Sequence, residues 1–190
     1  MRIKYNSPAI LTYALISVVV LVLSEYLFPP TRGLFTVSGS YGSLLNPLNF
    51  FRLFSHIAGH GSWSHLLGNF TFILLLGPML EERYGSGKLI LMILLTGAVT
   101  GLLNIILFSS GLLGASGIVF MLIILSSISN AKSGEIPLTF ILVAALYIGT
   151  ELLNSLRLDN ISQFAHILGG ICGALFGFSL GSSSSTQSTE

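Results

Sequence analysis

One repeated feature leaves few folds open to this chain: stretches of mostly apolar residues close to the length that crosses a bilayer as a helix, about 20 residues. They cover 9–28, 63–80, 89–108, 136–153 and 164–180, with a shorter run at 116–128. The glycine-rich residues 111–115 before that shorter run are apolar too, so they can dip into the membrane if protein walls shelter their backbone. Hydrocarbon offers a peptide group no hydrogen-bond partner, so each run must satisfy its own backbone as a helix. Composition agrees: of 190 residues, 52% are hydrophobic and 8% charged, where a soluble domain carries about 25% charged residues. The expected fold is therefore all-α, a polytopic membrane protein of six spans. Residues 1–180 form one membrane domain, and the serine-rich residues 181–190 a disordered tail.

The first run exceeds the core of a secretory signal, about 7–15 residues, and no small-residue cleavage pattern follows it; it is read as a retained span. A net charge of +1 gives no basic face for nucleic acid, and the single cysteine, Cys172, excludes an internal disulfide.

The connections differ in kind. Residues 29–62 hold Pro29, Pro30, Pro47, several glycines and many aromatic side chains, a composition suited to a loop folded in or on the interface. Residues 81–88 form a short charged turn with Gly85 and Gly87. With six spans both termini share a side. Arg2, Lys4, Arg83, Lys88 and Lys132 then lie there, opposite Arg32, Arg52 and Arg157. The positive-inside rule places the termini in the cytoplasm.

Polar side chains inside such spans are costly and mark functional sites by default. His65 and Asn69 in the second run, Ser116 at the start of the fourth and His166 near the start of the sixth all fall at one end of their helices in this topology. Ser116 lies in Gly114-Ala115-Ser116-Gly117, where loop becomes helix. The first-turn N–H groups and the helix dipole there can hold a developing oxyanion; a helix N-cap is the simpler role for such a serine. His166 begins a ridge of Gly169, Gly173 and Gly177, whose spacing lets another helix approach closely. If that helix carries Ser116, the imidazole can act as its base. His65 and Asn69, spaced i, i+4, share a face and can either donate to an oxyanion or act as polar glue between helices. His56, His60 and His65 also raise a metal site, but no glutamate lies between them as zinc hydrolases of the His-Glu-x-x-His type require; none is assigned. Glu25 and Glu151 are acids within or at the edge of spans. Glu151 is the better candidate to orient a histidine, but nothing in its placement demands it, and both acids are read as snorkelling to the interface.

Together, His65-xxx-Asn69, Gly114-Ala115-Ser116-Gly117 and His166-xx-Gly169-xxx-Gly173 resemble the rhomboid family of intramembrane serine proteases. Phe51-Arg52 with His56 and His60 looks like that family's Trp-Arg motif and preceding histidines, and residues 81–88 like the segment after its second span. The resemblance runs through nearly the whole chain, in order. It implies a six-helix rhomboid-like bundle in which Ser116 is the nucleophile and His166 the general base, acting as a dyad. His65 and Asn69 complete the oxyanion hole with the Ser116 backbone. Arg52 helps fold the first loop, and Glu81 with Arg83 braces the connection at 81–88. Its substrates are transmembrane segments of other proteins, and it uses no cofactor. The chain looks like the minimal prokaryotic form, an inner-membrane protein. Two departures stand out: Phe51 replaces the usual tryptophan, and Phe120 stands where bacterial members often stack a tyrosine on the histidine. The rivals are a non-catalytic derlin-like relative, which lacks the serine or histidine, and a small transporter with broken helices.

Overall fold

The computed structural model describes residues 5–39, 46–131 and 161–181, together with 138, 141, 142, 145, 146, 149 and 153. Helix α1 covers Pro8–Val22, with proline at its first position, and continues into a π-helical turn at Leu23–Leu27. Two short helices follow, α2 at Thr31–Leu34 and α3 at Pro47–Ser55, then a 3-10 turn at His56–Ala58. Long helices come next: α4 at Trp63–Tyr84, α5 at Ser86–Leu107, α6 at Ser116–Ala131 and α7 at Ile161–Gly181.

Three stretches, Pro8–Leu27, Trp63–Tyr84 and Ser86–Leu107, are long and apolar enough to cross a membrane, and α6 and α7 hold shorter apolar runs. The run predicted at 136–153 falls mostly outside the described residues, as do Lys132, Glu151 and Arg157. Leu67, Leu74, Leu75, Leu91, Leu95 and Leu102 face outward from α4 and α5. Exposed apolar surface of that extent belongs in lipid.

Helix α6 is the central post. Ile118, Val119, Met121, Leu122, Ile123 and Leu125 are buried, and the helix touches α4, α5 and α7. A helix apolar all round is stable only when surrounded. In α3 the amphipathic order is inverted. Phe50, Phe51 and Phe54 are exposed, while Asn49 and Ser55 are buried. Its apolar face thus points away from the protein, as expected of a loop lying in the interface.

The α4–α5 turn is held by one acid. Glu81 is buried; its Oε1 accepts from the Ala9 N–H at 2.9 Å and the Ser86 hydroxyl at 2.7 Å, and its Oε2 from the Ile10 N–H at 3.1 Å. Ser7, the N-cap residue of α1, makes no side-chain cap, so Glu81 serves the orphan donors of that helix from across the bundle. Nearby, Gly77 lets α1 come close: a Cβ there would stand 2.6 Å from Ile10 Cδ1.

Candidate active site

Ser116 opens α6 and is half-buried. The first bond of that helix runs from the Val119 N–H to the Ala115 carbonyl at 3.0 Å. The N–H groups of Ser116, Gly117 and Ile118 therefore precede the helical ladder. Gly114 has φ +127°, a backbone shape that favours glycine. The strand of chain leading in is walled by protein. Leu112 exchanges two backbone hydrogen bonds with Val37, at 2.9 and 3.0 Å, and the Gly114 N–H donates to the His56 carbonyl at 2.9 Å. These contacts shelter backbone that membrane depth would otherwise penalise.

His166 lies in the second turn of α7, which begins slightly earlier than the apolar run suggested. Its ring is buried and stacks on Phe120, with centroids 4.3 Å apart and planes 12° from parallel. The face-on contact expected of an aromatic at this position is present without a hydroxyl. Glycines set the α6–α7 register. A Cβ on Gly169 would stand 2.0 Å from the Gly117 carbonyl oxygen, and one on Gly173 2.4 Å from that of Met121. Gly177 faces Ile128, and Gly117 itself faces the Ala165 carbonyl at 3.3 Å. Such backbone-on-backbone contact is what a small-xxx-small ridge permits. Since Gly117 meets Ala165 and Gly169, the neighbouring Ser116 and His166 lie at one level of the α6–α7 pair.

His65 enters from α4. Its N–H donates to the cap hydroxyl of Ser62 at 3.2 Å, and its half-buried ring lies against Gly114, where a Cβ would be 2.7 Å from Cε1. Asn69, one turn further along α4, is buried. The first loop backs this arrangement. His56 uses Nδ1 toward the Arg52 carbonyl at 3.1 Å and Nε2 toward the Thr100 hydroxyl at 3.4 Å. His60 directs Nδ1 to the Ala58 carbonyl at 3.3 Å. Both rings are fully buried in the connection between the first two spans. Burial holds each at about 4, aided at His60 by the facing His65, so both are neutral at pH 7.

The remaining candidates fall elsewhere. Arg52 donates from Nη1 to the Asn49 carboxamide at 3.0 Å, within α3. Arg83 is exposed and lies 6.0 Å from the centroid of the Tyr84 ring. Glu25 pairs with Arg32 at 2.8 Å on the surface; Glu151 lies outside the described residues. Sequence reasoning passed over Thr100 and Asn104. Thr100 meets His56, and the Asn104 carboxamide donates to the Ser110 carbonyl at 3.0 Å, pinning the loop before Ser116. The signal was there: Thr96, Thr100 and Asn104 recur every fourth residue along an otherwise apolar helix.

Polar groups carried by α4, α6 and α7 thus lie toward one end of an apolar bundle, with a serine at a helix start, and form the candidate site. The comparisons with known proteins agree. A family profile described as the Rhomboid domain matches residues 47–183. The chain is 27% identical over 130 residues to Rhomboid protease GlpG of Haemophilus influenzae, covering 67% of this chain and 68% of that protein. It is also 28% identical over 154 residues to Rhomboid-like protein 15 of Arabidopsis thaliana and 29% over 137 residues to RHOMBOID-like protein 1 of the same plant. Those alignments cover 72% and 67% of this chain but only 37% and 33% of the plant proteins. The chain belongs to the rhomboid family. It is an integral membrane protein and a serine protease of the intramembrane type, a hydrolase.

Proposed function

We propose that this protein cleaves transmembrane segments of other membrane proteins with a Ser116–His166 dyad, in a hole lined by the Ser116 N–H, His65 and Asn69. The observation that carries the reading is the meeting of three chain regions. The glycine seam sets Ser116 and His166 at one level of α6 and α7, and the His65 ring abuts Gly114, two residues before the serine.

An intact substrate helix hides its carbonyls in its own hydrogen bonds, so its end must unwind at the site. Unwinding in hydrocarbon is expensive, which favours substrates with helix-breaking residues near the cut and small side chains at it. Ser116 Oγ attacks the exposed carbonyl carbon while His166 takes the hydroxyl proton. The carbonyl oxygen becomes the oxyanion and rests on the three donors. His166 then gives its proton to the leaving amine, and the peptide bond breaks. A water, activated by the same imidazole, attacks the acyl-serine and restores Ser116. Phe120, flat against the imidazole, limits its rotation between these two proton transfers. Arg52 supports the first loop, Gly169 and Gly173 keep α7 on α6, and Glu81 with Arg83 belongs to the opposite connection. The setting is a prokaryotic inner membrane with both termini in the cytoplasm, lipid and transmembrane substrates being the partners.

The test is direct. Purified protein in liposomes, given a tagged single-span substrate and no cofactor, should cut it, and Ser116→Ala should abolish cutting at unchanged melting temperature. A fluorophosphonate probe should label the wild type and not this variant. Cleavage by Ser116→Ala at the normal rate would refute the assignment.

A further inference from the structure

His60 has no part in the dyad or the oxyanion hole, yet its side chain is 1% exposed, a burial a polar ring reaches only for a reason. Its single polar contact among the described residues is Nδ1 with the Ala58 carbonyl. A carbonyl only accepts, so Nδ1 carries the proton and Nε2 is a bare acceptor. That Nε2 is buried without a partner among the described residues. Burying such an atom without a partner is unfavourable, so something other than hydrogen bonding retains a ring here.

The ring contacts name the reason. His60 meets His65 edge to face, with centroids 5.1 Å apart and planes at 65°. It also leans on Phe70 at 5.8 Å, and Phe70 meets Tyr13 of α1 at 5.2 Å. Tyr13 in turn donates its hydroxyl to the Ile57 carbonyl at 2.7 Å. The tilted rings thus run from the α1–α4 core to the His65 imidazole. Gly114 also lies against that imidazole, its missing Cβ leaving room for Cε1 and Nε2.

We propose that His60 is a positioning residue: its ring, braced by Phe70 and Tyr13, works with the bare Cα of Gly114 to hold the His65 imidazole at the angle the oxyanion hole needs. The inference rests on the proposed role of His65. Its content is that the ring matters and the polarity of His60 does not.

Two substitutions separate those properties. His60→Asn keeps a donor for the Ala58 carbonyl and loses the ring; His60→Phe keeps the ring and loses the donor. Initial rates on a transmembrane substrate in liposomes should fall roughly 10- to 100-fold in kcat for His60→Asn, the scale of a misplaced catalytic group. KM should stay near the wild-type value, since donors used only in the transition state do not bind ground-state substrate. His60→Phe should stay within about threefold of wild type on the same reasoning. In a His65→Ala background, His60→Asn should have no further effect, because nothing is left to position. Should His60→Asn fail to fold, His60→Leu fills the site without a ring and takes its place. The proposal is overturned if a folded His60→Phe loses as much as His60→Asn, or if the His60 loss persists undiminished in His65→Ala. A His65→Ala protein at full rate would overturn it together with the role of His65. A slow His65→Ala carrying an additive His60 effect would sink the positioning role and leave the oxyanion hole intact.

Discussion

The two ends of the bundle treat buried polar atoms differently. At the Glu81 end, one carboxylate gathers the Ala9 and Ile10 N–H groups and the Ser86 hydroxyl, and Tyr84 bonds Ser129 across to α6, while Ser7 Oγ is buried with no partner among the described residues. At the Ser116 end, Nε2 of His60, Oδ1 of Asn104 and Nε of Arg52 are buried with no partner among the described residues. A carboxylate that satisfies three donors makes a joint; a group of unpartnered ring, amide and guanidinium atoms has no such centre. The ends also differ in how their helices touch. The Ser116 end has backbone against backbone at Gly117 and Gly169, whereas the Glu81 end is tied by side chains reaching backbone. Changes at the first end should therefore cost catalysis, and changes at the second end stability.

The sharpest way to break that contrast is Gly169→Ala. Its Cβ would collide with a backbone oxygen that no side-chain rotation can move, whereas Gly170, the next residue, has only Ile124 Cγ1 at 3.6 Å. Gly169→Ala must push α7 away from α6, and a shift near 1 Å is worth roughly 100-fold in rate. Gly170→Ala should leave rate and melting temperature unchanged. Equal kcat values for the two variants would show that the seam does not set the dyad.

At the other end, Glu81→Ala strands two helix-cap donors and a hydroxyl. The expected loss is about 2–4 kcal/mol of stability, read as a lower melting temperature in detergent, with kcat of the folded protein at 25 °C unaltered. A large fall in kcat without destabilisation would erase the division between the ends.

The smallest effect is that of acid on the first loop. His56 and His60 have pKa values lowered to about 4 from an ordinary value near 6.5. Between those values the unfolded chain takes up protons that the folded chain refuses, so the unfolded state gains. The contribution of the two neutral rings is complete above about pH 6.5 and disappears as pH falls toward about 4. Melting temperature should decline through that window, and less steeply in His60→Phe, which lacks one of these two rings. An identical slope in the variant would remove His60 from the acid response.

Much of this was legible before any coordinates. Helices followed from apolar runs too long for anything but a bilayer, because hydrocarbon leaves backbone no other partner. Ser116, His166, His65 and Asn69 stood out because polar side chains rarely lie in such runs, and the Gly169, Gly173 ridge announced a close helix neighbour. Periodicity speaks only across a turn or two of one helix. It could not say that α6 is the neighbour, that Phe120 lies flat on His166, or that Glu81 caps a helix some 70 residues earlier in the chain. Nor did it show that Val37 pairs with Leu112, or that His60 touches His65. Those contacts join residues far apart along the chain or on different sides of a turn. Packing decides them, because a close approach of two backbones depends on the shape of both surfaces at once.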